Sequence, residues 1–199
     1  FLYMYLNTFL SDMSLITGTS RLKDRLNTKV AWDSFTFSSC PASEDIADKY
    51  FVTSDGFKAD NFTIIENGIL KSYMVDKLNG RRMNTAPTGS SRRQSYKFAP
   101  TSRMTNTFIA PGTDKVEDII KSIDDGLYAK KMGGGSVNPV TGEVNFAVAE
   151  GYLVKNGEIK EAVRGASLIG KGSEVLMNID MVGDNLAQAQ GMCGSVSGS

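Results

Sequence analysis

Phe62-Thr63-Ile64-Ile65-Glu66-Asn67-Gly68-Ile69-Leu70-Lys71-Ser72-Tyr73-Met74-Val75 reads as a β-hairpin. Asn-Gly supplies the two positive φ angles of a type I′ turn, whose twist matches that of the flanking strands. The same device recurs where Gly151-Tyr152-Leu153-Val154 meets Lys155-Asn156-Gly157 and then Glu158-Ile159-Lys160. Residues 143–154 form a long strand before that second turn, with Gly151 as a bulge. Residues 29–38 (KVAWDSFTFS) alternate as a strand. Residues 39–61, with Pro41, Asp55-Gly56 and Asp60-Asn61, read as loop and turns.

Helices are fewer. Apolar residues at 2, 5/6, 9/10 and 13 predict a packed helix over 1–13. A second is predicted over 113–125, capped by Thr113, with Val116, Ile119, Ile120 and Ile123 on one face and Gly126 ending it. Ser173 caps a short helix through Met181 in this reading. Many strands, few helices and antiparallel signals make an α+β, β-rich fold rather than a βαβ alternation.

The 199 residues suffice for one substantial domain. The chain opens at Phe1 inside an apolar run and closes in a Gly/Ser stretch. Residues 1–199 are therefore expected to be a single β-rich domain of a larger protein whose N-terminal domain is missing. Lys plus Arg and Asp plus Glu stand at 22 each. A formal charge of zero argues against nucleic acid or an anionic membrane as partner. Cys40 and Cys193 suggest no disulfide framework, which fits a cytoplasmic location. The N-terminal apolar run, interrupted at Asn7-Thr8 and ending at Ser11-Asp12, is too short to span a bilayer and lacks a signal peptide's basic flank.

The chain contains no histidine. That removes Ser-His-Asp triads, Cys-His dyads and every histidine-based zinc site made from these residues alone. Four smaller features carry candidate chemistry. Gly133-Gly134-Gly135 leaves backbone bare for a ligand or peptide, or marks a turn or a close backbone crossing. It is no P-loop, since no Gly-Lys-Ser/Thr follows. Arg103 and Asn106, after Pro100, offer a guanidinium and an amide that can clamp a carboxylate, or that hold their own loop. Glu150 is either a buried acid or a solvent-facing one. Cys193, in Gly191-Met192-Cys193-Gly194, is either a soft metal ligand or nucleophile, or an idle thiol.

The ordered set of these motifs carries a resemblance. Ile65 to Lys71, Tyr73-Met74 and Asp76-Lys77-Leu78-Asn79 are followed by Thr88-Gly89-Ser90-Ser91-Arg92-Arg93, Pro100 and Arg103-Met104-Thr105-Asn106-Thr107. Then come Gly126-Leu127-Tyr128, Gly133–Gly135, Glu150 to Val154, Lys155-Asn156-Gly157, Met181-Val182-Gly183-Asp184 and Gly191-Met192-Cys193-Gly194. Over residues 60–195 this resembles the C-terminal half of the TldD/PmbA family, and residues 1–40 resemble it more loosely.

The resemblance implies a cytoplasmic metallopeptidase system, also labelled modulator of DNA gyrase. TldD-type and PmbA-type (TldE) subunits pair in it and cut unstructured peptides, with links to peptide-antibiotic maturation and antitoxin degradation. In the TldD type a helix bearing His-Glu-x-x-x-His supplies two zinc ligands, a C-terminal cysteine supplies the third, and the Glu acts as general base. Cys193 matches that cysteine. Counting back without gaps from Ser20-Arg21-Leu22 puts the two histidine positions on Tyr3 and Thr8 and the Glu on Met4. These three cannot replace the family's ligands and base, and the apolar helix resembles that of the metal-free PmbA type. Ser195 also stands where the TldD type usually has Lys.

Three functional readings follow. The chain is the metal-free partner subunit of a peptidase pair, with peptide added as a strand at an edge near Gly133–Gly135. Alternatively, it is an active zinc metallopeptidase whose histidines lie outside these residues. In a third reading it is a non-enzymatic peptide-binding or assembly module.

Overall fold

A computed structural model of the chain describes residues 2–40 and 51–187. It is an α+β fold of antiparallel sheets with short helices packed on them. The first hairpin pairs β2 (Phe62–Glu66) with β3 (Ile69–Leu70), with Asn67 at φ 48° and Gly68 at φ 77°. β2 also pairs antiparallel with β1 (Phe37–Ser39), and β1 with β6 (Thr107–Ile109), giving the order β3-β2-β1-β6. A two-stranded ribbon joins β4 (Ser91–Arg92) to β5 (Thr101–Ser102).

The second large sheet is built on β8 (Glu143–Lys155). On one side β8 pairs along its length with β7 (Asp125–Val137). On the other side it pairs with β9 (Glu158–Val163) near its end and with β10 (Ser167–Lys171) near its start. The second Asn-Gly turn joins β8 to β9, with Asn156 at φ 49° and Gly157 at φ 76°. The bulge expected at Gly151 falls on its neighbours instead: register shifts beside it place the extra residue on β7, between Tyr128 and Lys131, and on β9, between Ile159 and Ala162.

Five helices complete the described residues: α1 (Leu2–Leu10), α2 (Asp12–Ile16), α3 (Lys77–Met83), α4 (Val116–Lys121) and α5 (Gly172–Met177). The core gathers Tyr5, Leu6, Phe9 and Leu10 of α1 with Ile64 and Ile65 of β2 and Val144 and Phe146 of β8, all nearly inaccessible. Helical spacing at 5, 6, 9 and 10 puts these four on one face.

Several elements differ from their sequence-based bounds for local reasons. The N-terminal helix is split at Ser11, because Met74 N donates to the Leu10 carbonyl at 3.0 Å and pulls the chain aside. Residues 30–36 are not strand. Val30 N and Ala31 N both donate to Gly68 O, and Trp32 N donates to Leu176 O, so this backbone wraps the hairpin tip instead of joining a ladder. The hairpin's return strand stops at Leu70, short of Val75. Thr113 does not cap α4, which starts after Lys115; Asp114 is held instead by Val182, whose N–H its carboxylate accepts at 2.9 Å. Gly126 lies inside β7 rather than ending a helix. The last helix begins at Gly172 and ends at Met177, short of Met181.

The hairpin tip is also a packing constraint. A Cβ on Gly68 would sit 2.4 Å from Ala31 O and 2.8 Å from Trp32 O, on a backbone already at positive φ. Gly68→Ala is therefore expected to destabilise the protein by roughly 2 kcal/mol or more. A urea denaturation midpoint unchanged from the parent would show that this close approach is not made.

Candidate functional site

α1 packs against β7 and carries the positions assigned to the family's metal helix. Its inner face is committed to the core. Met4 is exposed and Thr8 half-buried, one turn apart on the outer face. The Thr8 hydroxyl donates back to Met4 O at 2.9 Å. Tyr3 lies on the same helix. A thioether and a hydroxyl already bonded within the helix are poor zinc donors beside imidazole and thiolate. These residues do not fit a His₂-Cys zinc site. Among the described residues no group of three His, Cys, Asp or Glu is placed to hold a metal ion. Cys193 lies outside the described residues.

Gly133, Gly134 and Gly135 lie within β7, not in a turn. β7 pairs with β8 only, so its outer edge is unpaired among the described residues. Register shifts between Tyr128 and Gly135 interrupt the ladder there. The three glycines differ in kind. A Cβ on Gly135 would meet Asn145 O at 2.3 Å and the Phe146 ring at 2.4 Å. A Cβ on Gly133 would lie 3.4 Å from Ala147 O, and one on Gly134 would meet nothing within 4 Å. Gly135 thus seats the Phe146 ring, while Gly134 keeps the strand bare on its open side.

Next to this edge, four side chains share one face of β7 and β8. The Lys130 ammonium lies 2.8 Å from a Glu150 carboxylate oxygen, and the Tyr152 hydroxyl donates to the same oxygen at 2.7 Å. Tyr128 stacks on Tyr152 at 6.4 Å between centroids. Lys130 first, and the Tyr152 hydroxyl second, hold the Glu150 carboxyl below the usual range. The same hydrogen bonds push Lys130 and Tyr152 up. Glu150 is half-exposed and ionised, so it is not a buried acid.

Arg103 and Asn106 belong to the other sheet's surroundings. Arg103 is 1% exposed, and its N–H donates to Ser90 O at 2.8 Å. Asn106 O accepts from Cys40 N at 2.9 Å. Around Arg103 the motif residues form a buried polar seam. The Asp76 carboxylate accepts from Asn79 N at 2.7 Å, from the Asn79 amide at 2.8 Å and from Ser102 N at 3.2 Å. Ser102 Oγ donates to Met74 O, and Thr88 Oγ1 accepts from Val75 N. Asp76 and Arg103 are the buried charged side chains of the described residues. Such groups are kept in place by dense hydrogen bonding, because removing one partner strands a buried charge. Sequence reading missed this seam, although its signal was there in Asp76, Asn79, Thr88, Ser90 and Ser102 recurring within the quoted motifs.

Comparison with known proteins adds the wider context. The profile of the family described as "PmbA/TldA metallopeptidase C-terminal domain" matches residues 1–197. The chain is 44% identical over 179 residues to a protein named Metalloprotease TldD homolog from Buchnera aphidicola subsp. Schizaphis graminum, covering 89% of this chain and 37% of that one. A Haemophilus influenzae protein of the same name is 41% identical over 145 residues, 72% of this chain and 30% of that one. The chain thus spans about a third of the length of these curated relatives. Among solved structures, TldE from Thermococcus kodakarensis superposes with a TM-score of 0.76 at 24% identity, over 88% of this chain and 39% of that one. A candidate modulator of a DNA gyrase from Thermotoga maritima superposes with a TM-score of 0.79 at 22% identity, over 95% and 44%. These two likenesses bear on the fold alone.

Gly135→Ala is expected to cost roughly 1–3 kcal/mol of stability, and Gly134→Ala to leave the melting temperature within the scatter of a surface change. Equal melting shifts for the two would contradict the division drawn here. In Lys130→Met the Glu150 carboxyl should titrate at higher pH than in the parent, as read by carboxyl-carbon NMR; an unmoved titration would show that the pair does not form in solution.

Proposed function

The chain belongs to the PmbA/TldD metallopeptidase family by its C-terminal domain, and on that premise we propose that it is the metal-free partner subunit of a TldD-like peptidase. The carrying observation is the outer face of α1. Where the resemblance expects histidine and glutamate, that face presents Met4 and Thr8, and the Thr8 hydroxyl is bonded within the helix. The 199 residues contain no histidine to replace them. In this reading Cys193 is a single ligand left without its set.

The subunit's own contribution is to peptide handling. An unstructured peptide adds as a strand along the outer edge of β7, where main-chain groups bind without reading sequence. The unpaired edge and the open space beside Gly134 support this. The partner is a histidine-bearing subunit of the same family, which would hold the zinc. A cytoplasmic setting agrees with Cys40, a free thiol, and no helix among the described residues is long and apolar enough to cross a membrane.

A second reading, an active zinc enzyme whose histidines lie elsewhere in a longer chain, is favoured by the metalloprotease names of the relatives at 41–44% identity. Peptide hydrolysis separates the two. The protein alone is expected to leave an unstructured reporter peptide intact, and mixing with a histidine-bearing relative should yield cleavage above that relative's own rate. Cleavage by the isolated protein that Cys193→Ala abolishes would establish the second reading instead.

A further inference from the structure

The zero net charge conceals a strong division. Residues 77–113 hold seven of the 22 Lys and Arg residues and none of the Asp and Glu. The rest of the chain therefore sets 15 basic residues against all 22 acidic ones. Nine ion pairs on the described surface use lysines outside 77–113. Lys77 and Arg81 are exposed and join none of them.

These two cations share a face of α3, one turn apart. They line an open cleft of about 550 Å³ together with Phe57, Gly80, Asn84 and Pro87. Gly80 helps to shape it, since a Cβ there would sit 2.9 Å from Thr85 O. Among the described residues no acidic side chain lines the cleft. The nearby Asp55 is engaged elsewhere: its carboxylate accepts from Lys77 N at 2.8 Å and from the Thr53 hydroxyl. The site is thus a groove with a ring and a proline for apolar contact and two cations, neither in a side-chain ion pair among the described residues, with the Asp55 carboxylate on the Lys77 backbone as the nearby negative charge.

We propose that this cleft binds the acidic side chains of an unstructured peptide, Arg81 taking a carboxylate through its planar fork and Lys77 adding a second positive charge. The proposal rests on the peptide-handling reading above and gives it a preferred substrate class, peptides rich in Asp and Glu. Charge complementarity supports a peptide over nucleic acid. A nucleic acid carries closely spaced phosphates along its whole length, and the net-negative remainder of the chain repels such a polyanion beyond the cleft. A short acidic segment places its charge at the cleft alone.

Fluorescence anisotropy on the full chain tests this, with a labelled unstructured Glu/Asp/Gly/Ser peptide, its Gln/Asn counterpart and a single-stranded DNA oligonucleotide. The acidic peptide should bind most tightly and weaken as salt rises. The Lys77→Glu/Arg81→Glu variant should bind it roughly tenfold or more weakly, and the Lys77→Gln/Arg81→Gln variant should fall in the same direction. Both variants should keep the parent's melting temperature, because both side chains are exposed. Equal binding of the neutral peptide, unaffected by either variant, overturns the cleft and leaves peptide handling standing. Failure of both peptides to bind overturns both. Tighter binding of the oligonucleotide, lost in the variants, makes the cleft a nucleic-acid site and overturns the proposal.

Discussion

The fit of the Phe146 ring against Gly135 is the contact on which the long sheet and its helix depend. Phe146 projects from β8 into the core, and the missing Cβ of Gly135 lets β7 run directly beside the ring. A matching gap lies at Gly172, where a Cβ would come within 2.2 Å of the Tyr5 ring. Two glycines thus seat two aromatic rings, one from the sheet and one from α1. Burying a ring of this size contributes about 2–3 kcal/mol, and close packing makes that sensitive to single atoms. Because both seats face the same core, α1 and the edge strand β7 are held together. The inner face of α1 and the strand β7 thus pack on one core.

Much of the fold is legible in the sequence wherever a local device carries it. Both Asn-Gly turns take the positive φ angles that their type demands, and β8 keeps nearly its predicted bounds. β7 is not legible, because Lys130-Lys131 and three glycines show no alternation and little strand preference. It is a strand because β8 supplies a partner along its length. Residues 30–36 fail the opposite way: their alternation is good, but the tip at Gly68 claims their amides. A tertiary contact overrides the pattern in each case.

The candidate site divides along the same line. The sequence alone marks Arg103 and Asn106 as polar groups with clamp chemistry, yet it carries no sign that Arg103 lies buried beside the seam around Asp76 and Ser102. Burial is set by the approach of β5 to the segment before α3, where Ser102 bonds Met74 O and the Asp76 carboxylate. Total charge likewise says nothing of its distribution. A chain neutral overall carries an acid-free block on α3 and the ribbon, and two of its cations, Lys77 and Arg81, border a cleft.

The central claim is that this protein lacks a zinc site of its own. The most direct measurement is the zinc content of the purified full-length protein, by elemental mass spectrometry after equilibration with zinc and removal of the free ion. The account predicts far less than one zinc per chain, with Cys193→Ala making no difference. One zinc per chain, lost in Cys193→Ala, would contradict it.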